Sequence, residues 1–163
     1  MIYSRNIACF LLFILSQIPV ISSDSPEVPV SVPQPDFGDH SSQTLTTKAW
    51  DAFSAKKYDL VEAYADKCIE LYGAEAQLMQ KTLTEKAPAD KAHDYWALND
   101  VGTCLFIKAQ AFEDQDMNKE AIIAYKKLVT AYRFAQTWDA NGWFWSPADA
   151  AKQRIQVLEF SVL

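Results

Sequence analysis

CLFIKAQAFEDQDMNKEAIIAYKKLVTAY, residues 104–132, is the stretch that decides the fold. Apolar residues recur at steps of three and four on both sides of a polar turn at residues 114–117. This spacing predicts two amphipathic helices, because a helix brings positions three and four apart onto one face. An alanine or an aromatic ring stands at most inward positions, as closely packed antiparallel helices require. The stretch therefore predicts a helical hairpin.

The same periodicity continues through most of the chain after residue 43. With the two helices of the hairpin included, it predicts five helices, at residues 44–55, 58–72, 94–113, 118–135 and 146–160. Gly73 suits a helix C-terminus, although residues 74–83 have the composition to continue as helix after a kink. Residues 84–90 and the aromatic segment 137–145 are predicted loops. No segment alternates polar and apolar residues with period two, so the predicted fold class is all-α.

One family pattern fits these helices. The first helix has Ala109 and Phe112 near its end, Asp116 stands where the family turn usually has glycine, and the second helix has Ala121, Tyr125 and Leu128. This arrangement resembles the tetratricopeptide repeat. The second-helix pattern occurs once more upstream, at Tyr58, Val61, Ala65, Cys68 and Ile69. The two units are offset by about 60 residues, where regular repeats are offset by about 34, and residues 73–91 form an insert.

The resemblance implies a tetratricopeptide-like α-solenoid of antiparallel helical hairpins, closed by a C-terminal capping helix. Such arrays line their concave surface with the first helix of each hairpin. Family members mostly bind peptides or assemble larger machinery, so the implied function is a non-catalytic scaffold that binds a protein or peptide. Candidate ligand-binding residues on this surface are Trp96, Asn99, Asp100, Thr103 and Lys108, with Trp50 at its other end. Asn99 would hold the backbone of an extended peptide. A solvated polar face is the alternative interpretation.

The segment 138–145 has three tryptophans and Phe144. Such rings stack on sugar faces or accept an apolar anchor of a partner protein, which makes Trp138 and Trp143 further candidate binding residues. The alternative function is therefore a carbohydrate-binding accessory module of the cell envelope. The competing interpretation is a loop that seals the end of the array with its own rings. Trp143 and Trp145 are expected on opposite sides of an extended segment, with one of them in the core.

Catalysis is not expected from this sequence. The histidines, His40 and His93, fall in a linker and at a helix start, and there is neither a nucleophile-elbow serine nor a glycine-rich phosphate loop. Pairs of acids such as Asp94 with Asp100 arise by chance among 21 acidic residues. No cysteine or histidine spacing suits a metal, so neither a metal nor another cofactor is predicted.

The N-terminus has the pattern of a secretory signal peptide. Arg5 precedes a nine-residue apolar run at residues 7–15, which is shorter than the roughly 20 residues that span a membrane. We predict a cleaved signal peptide over residues 1–23, with an uncleaved membrane anchor as the alternative. Residues 24–43 hold four of the seven prolines and are predicted to be a stiff linker. Residues 44–163 would form one domain, secreted or periplasmic.

Charge and cysteine content narrow the partners. The formal net charge is −6, which does not suit the phosphate backbone of nucleic acid. A protein or peptide partner is expected, with an envelope glycan as the alternative. A homodimer through residues 44–72 is a further hypothesis, because two repeat units are few for an independent array. Cys68 and Cys104 are predicted either to form a disulfide in an oxidising compartment or to remain two buried thiols.

Overall fold

Five α-helices and one short β-hairpin make up residues 34–161, the part of the chain that this computed structural model describes. The α-helices are α1 (Ser42–Ser54), α2 (Tyr58–Thr82), α3 (Trp96–Glu113), α4 (Asn118–Ala131) and α5 (Pro147–Ser161). The two strands are β1 (Thr137–Asp139) and β2 (Trp143–Trp145), and a 3₁₀ helix at Ala89–Tyr95 leads into α3. Of residues 34–161, 72% are helical when the 3₁₀ helix is included, which confirms the all-α fold class.

The pairs α1–α2 and α3–α4 are helical hairpins whose turns have the same backbone geometry. Lys56 in the first turn has φ 55° and Asp116 in the second has φ 59°. In both turns the next residue donates its N–H at 2.9 Å to the carbonyl five positions earlier, which is the hydrogen bond that closes a Schellman motif. Lys56 and Asp116 are 60 positions apart, so the second hairpin repeats the turn of the first.

Helix α3 is central, because α1, α2, α4 and α5 all pack against it. Thirteen of its 18 residues are buried, and this explains why its apolar residues are not confined to one stripe. Gly102 allows the closest of these contacts, since a Cβ there would come within 2.4 Å of the Ala135 Cβ. The chain that leaves α4 therefore lies directly on α3, which fixes where the β-hairpin begins.

Helix α2 runs without a break through Gly73, where the sequence predicts a helix end. Gly73 is buried, and a Cβ there would lie 3.4 Å from the Tyr132 hydroxyl oxygen. This glycine therefore allows the chain after α4 to approach α2, and it does not end the helix. Residues 74–82 continue the helix, as their composition indicates. Helix α4, in contrast, is shorter than predicted and ends at Ala131.

The aromatic segment 137–145 is a β-hairpin, where the sequence predicts a loop. Trp138 pairs with Phe144, so their side chains share one face of the ribbon. Trp143 and Trp145 share the other face, because alternate residues of a strand point the same way. The expectation of opposite sides for these two tryptophans is therefore wrong. Only Trp145 packs against the core, with its ring centroid 5.1 Å from that of Phe106.

Residues 34–41, ahead of α1, pack against the helices. The Phe37 ring meets Tyr64 edge-on at a centroid distance of 5.9 Å, and the Ser41 hydroxyl caps α1 by accepting from the Thr44 N–H at 3.2 Å. The end of the predicted linker is thus part of the folded unit. Residues 24–33 of that linker and the predicted signal peptide, 1–23, lie outside the described residues. None of the helices within residues 34–161 has the length and apolar character to cross a membrane.

Candidate functional site

A pocket of about 820 Å³ lies between α1, the start of α3 and the β-hairpin. This volume is in the range of small-molecule and cofactor sites. Helix α1 contributes hydroxyl and amide groups and one indole ring, at Ser42, Gln43, Thr46, Thr47 and Trp50. Helix α3 contributes Trp96, Asn99, Asp100 and Thr103, and the hairpin contributes Thr137, Trp138 and Phe144.

Helical spacing explains why four predicted residues of α3 share this pocket. Trp96, Asn99, Asp100 and Thr103 are three or four positions apart along the helix, so they form one face. The β-hairpin then brings Trp138 to the same opening, because Gly102 lets the chain before the hairpin lie on α3. The two candidate surfaces of the sequence, the α3 face and the tryptophan segment, are therefore walls of a single pocket.

Asp100 is the one carboxylate in the pocket lining. Its Oδ2 accepts a hydrogen bond from the Ser42 hydroxyl at 2.5 Å. Burial raises the pKa of Asp100, and the Ser42 hydrogen bond opposes that rise. Ser42 begins α1, so the carboxylate also lies near the positive end of that helix dipole. The lining contains neither lysine nor arginine, and its one histidine, His93, packs against Trp138 and Phe144, so Asp100 has no cationic partner within residues 34–161.

Aromatic rings make up the outer walls. Trp96 meets Tyr72 edge-on, with centroids 5.6 Å apart. Across the pocket, Trp138 lies 5.0 Å from Phe144 and 6.4 Å from His93, measured between ring centroids. The side chains of Trp96 and Trp138 are 45% and 55% exposed, so a ligand can reach both indoles. No group of three His, Cys, Asp or Glu side chains in residues 34–161 is placed to hold a metal.

Asn99 and Thr103 contribute to the pocket chiefly by holding its walls together. The Asn99 amide donates to the Ala92 carbonyl at 2.7 Å, and its side-chain oxygen accepts from the Gln136 N–H at 2.8 Å. The Thr103 hydroxyl lies 2.6 Å from the Thr137 hydroxyl. These bonds join the 3₁₀ helix, α3 and β1. The Asn99 amide is thus used within the fold, where the sequence predicts a contact with a peptide backbone.

Two predicted residues lie elsewhere. Lys108 lines a smaller groove of about 240 Å³, where its Nζ lies 2.7 and 2.8 Å from the two carboxylate oxygens of Asp66 and 3.8 Å from Glu62. Trp143 is 53% exposed, and it lies on the ribbon face opposite Trp138. The structure therefore brings the other predicted residues together in the pocket and separates these two.

The α1 wall is the part of the pocket that the sequence interpretation misses, apart from Trp50, which stands at the end of the predicted concave face. Its hydroxyl and amide groups form two adjacent pairs, at positions 42 and 43 and at positions 46 and 47, and the pairs are one helical turn apart. That polar stripe, ending in Trp50, runs beside the apolar stripe of the same helix. It could have indicated a second face with a function.

The two cysteines lie beneath the α1 wall. Both Cys68 and Cys104 are buried, and both are free thiols in the structure. The Cys104 Sγ lies 3.3 Å from the Thr46 hydroxyl. The neighbouring Cys68 thiol and burial raise the pKa of Cys104. A disulfide between them in an oxidising compartment stays a prediction.

No protein-family model matches the chain, and no curated protein or solved structure shows significant similarity to it. A functional interpretation therefore depends on the chemistry of the pocket itself. That chemistry combines accessible aromatic rings, uncharged hydrogen-bonding groups and one partly buried carboxylate.

Proposed function

We propose that this protein is a non-catalytic binding module of tetratricopeptide-like type that holds a peptide segment of a protein partner in the pocket. The observation that carries this proposal is the position of the pocket. Helices α1 and α3, the first helices of the two hairpins, form two of its walls. First helices line the concave binding surface of helical-repeat arrays, so the pocket is located where such a module binds its partner.

The repeated hairpin supports the same proposal. Lys56 and Asp116 take the same backbone conformation 60 positions apart, with the same closing hydrogen bond. Val61 and Ala121 are fully buried at equivalent positions of the second helices. Helix α5 packs on α3 and α4, as a capping helix would.

We also propose that the protein is secreted or exported to a periplasm, because residues 1–23 have the pattern of a signal peptide. A homodimer through residues 44–72 is tested by light scattering at high concentration.

A carbohydrate-binding module of the cell envelope is the second candidate, because Trp50, Trp96 and Trp138 all line the pocket and indoles stack on sugar rings. The orientation of the rings favours a peptide. Trp138 stands at 70° to Phe144, and Trp96 stands at 79° to Tyr72. Neither indole therefore forms a flat surface with the ring beside it, whereas a glycan platform presents coplanar rings.

The test compares two tryptophans of the same hairpin. Trp138 and Trp143 are exposed to similar extents, 55% and 53%, but only Trp138 lines the pocket. The full-length chain, Trp138→Ala and Trp143→Ala are screened against a random peptide display library and a glycan array. We expect peptides that bind the wild type and Trp143→Ala and lose about tenfold or more with Trp138→Ala.

Peptide binding that is indifferent to Trp138 would refute a site in this pocket. Glycan binding that depends on Trp138, with no peptide selected, would replace the proposal by the carbohydrate module. Circular dichroism of both variants confirms that each keeps its helices.

A further inference from the structure

We propose that the pocket recognises a cationic side chain, the ammonium of a lysine or the guanidinium of an arginine in the bound peptide. The cation would bind the Asp100 carboxylate, with the indole rings of the pocket around it. This inference rests on the proposed function, and it names the chemical group that gives the site its selectivity.

The first observation is that Asp100 lacks a counter-charge. Among the other partly buried acids of residues 34–161, Glu62, Glu113 and Asp149 pair with Lys108, Arg154 and Lys86, whereas Asp139 accepts hydrogen bonds from Asn141. Within residues 34–161, the Ser42 hydroxyl is the only group that donates a hydrogen bond to the Asp100 side chain. A partly buried carboxylate without a cation is costly, because burial removes hydration and only the Ser42 hydroxyl and the dipole of α1 offset that loss. A basic side chain from a partner would supply that charge.

The second observation is the aromatic surround. Trp96 lies one helical turn before Asp100, which places the two side chains about 6 Å apart at their Cβ atoms. Trp50, Tyr72 and Trp138 line the same space. Cations are attracted to the faces of such rings, most strongly to indole. Rings and one acid around a recess therefore suit an organic cation, for which both features are attractive.

The charge of the pocket and of the chain excludes the opposite kind of ligand. The lining has no lysine or arginine that could hold a carboxylate or phosphate, its one histidine, His93, packs against Trp138 and Phe144, and Asp100 would repel either anion. The whole chain has a formal net charge of −6, which attracts basic peptides before contact.

The pocket, at about 820 Å³, is also larger than one side chain requires. The hydroxyls of Ser42, Thr46 and Thr47 already donate within the fold. The exposed Gln43 amide is therefore the α1 group that can meet the backbone beside the cation.

The experiment uses five-residue peptides that differ only at the central position. Acetyl-Gly-Gly-Arg-Gly-Gly-amide, its lysine version, its citrulline version and its glutamate version are titrated into the full-length chain. Choline chloride is the free-cation probe. Binding is followed by the indole N–H resonances of Trp96, Trp138 and Trp143 in NMR spectra. Citrulline matches arginine in shape without the charge, so this comparison tests the cation without altering the protein.

We expect the arginine and lysine peptides to shift the Trp96 and Trp138 resonances and to leave Trp143 unmoved. Citrulline should bind about tenfold or more weakly, and glutamate should not bind. Asp100→Asn, which keeps an oxygen for the Ser42 hydroxyl, should lose about tenfold for arginine. Asp66→Asn removes the same charge outside the pocket and should bind as the wild type does.

Equal binding of arginine and citrulline, or full affinity in Asp100→Asn, would overturn the cation assignment. The peptide-binding proposal would survive that result if library peptides still required Trp138. Choline that binds more tightly than either basic peptide would overturn the peptide source in favour of a free amine. If the short peptides do not bind, the library decides: Trp138-dependent peptides rich in lysine or arginine support the assignment, and peptides without them refute it. The absence of any Trp138-dependent peptide refutes both proposals.

Discussion

Asp100 and Lys108 lie eight positions apart on α3, and of the two only Lys108 has an oppositely charged partner within residues 34–161. Lys108 is neutralised within the chain by both carboxylate oxygens of Asp66, at 2.7 and 2.8 Å. Asp100 accepts a hydrogen bond only from the Ser42 hydroxyl within residues 34–161, and burial raises the pKa of Asp100. A charge that is neutralised within the chain belongs to the structure, whereas a charge without a partner is available to a ligand. This difference separates the pocket from the smaller groove at Lys108.

The largest expected effect comes from the stretch of α3 between the two charges. Gly102→Ala places a methyl group within 2.4 Å of the Ala135 Cβ. We expect the free energy of unfolding to fall by about 1–3 kcal/mol, because the well-packed backbone has to move. The β-hairpin should move away from α3, so that ligand binding weakens while Asp100 is unchanged. Denaturant unfolding and the peptide titration measure the two effects.

Gly73→Ala is the matched control, since a Cβ there meets only the Tyr132 hydroxyl, at 3.4 Å, and an Ile69 methyl, at 3.7 Å. In the middle of a helix, alanine is favoured over glycine by about 0.5–1 kcal/mol, so this variant should be as stable as the wild type or more stable. The double variant Gly102→Ala with Ala135→Gly should recover part of the loss. An unchanged stability in Gly102→Ala would refute the close contact that positions the hairpin.

Asp100→Asn should separate stability from binding. The pKa of Asp100 is raised above its ordinary value of 3.8, so the folded state favours the protonated form and the carboxylate opposes folding once it ionises. At pH 7 the variant should therefore be at least as stable as the wild type while its ligand affinity falls. The stability difference should vanish as the pH falls below 3.8. A variant less stable than the wild type at pH 7 would show that Asp100 is a structural residue.

Lys108→Met should have a smaller effect, confined to the other groove. Methionine keeps the apolar stem beside Phe112, over whose ring the Lys108 Nζ now lies at 5.5 Å. We expect a loss of at most about 1 kcal/mol, because Asp66 is largely exposed and can be hydrated. The pKa of Glu62, which burial raises and Lys108 lowers, should rise further in an NMR titration. Ligand affinity should not change, and a clear loss would place the site at Lys108.

The sequence predicts much of the helical fold because periodicity is a local property. Each α-helix begins within about two residues of its predicted start, although α2 continues ten residues beyond its predicted end and α4 stops four residues short. The unusual turn at Asp116 is where the family pattern indicates it. The hairpin could not be predicted in this way. Its strands have three residues each, and contacts distant in sequence fix them, such as Trp145 with Phe106 and Phe144 with His93. Short strands of this kind have too few local signals to distinguish them from a loop.

The site was predictable to the extent that one helix face carries it. Spacing alone groups Trp96, Asn99, Asp100 and Thr103. The same spacing cannot show that Lys108 faces α2, since α3 is buried on nearly all sides. Nor can spacing show which polar groups are already hydrogen-bonded within the fold. The Asn99 amide donates to the Ala92 carbonyl and accepts from the Gln136 N–H. What remained hidden was the pairing of charges and amides across elements, which only the packing determines.

The smallest expected effect tests the comparison of charges with a second aspartate. Asp149 is the opposite of Asp100: Lys86 and then Lys152 lower its pKa to about 2. A lowered folded pKa stabilises the fold above the ordinary value of 3.8, and that stabilisation is lost as the pH falls towards 2. In Lys86→Gln the pKa of Asp149 should rise. The loss at pH 7 should be at most about 0.5 kcal/mol, because the pair is exposed.

Between pH 4 and pH 2 the stability of Lys86→Gln should fall less steeply than that of the wild type, since less of the Asp149 contribution is left to lose. Asp100→Asn should change the profile in the other direction and at higher pH, above 3.8, because there the folded wild type takes up a proton at Asp100 before the unfolded chain does and gains stability on acidification. Urea unfolding at several acidic pH values measures both slopes. If the two variants shift the profile in the same direction, the contrast between a neutralised and an unpartnered aspartate fails, and with it the reason for expecting a cation at Asp100.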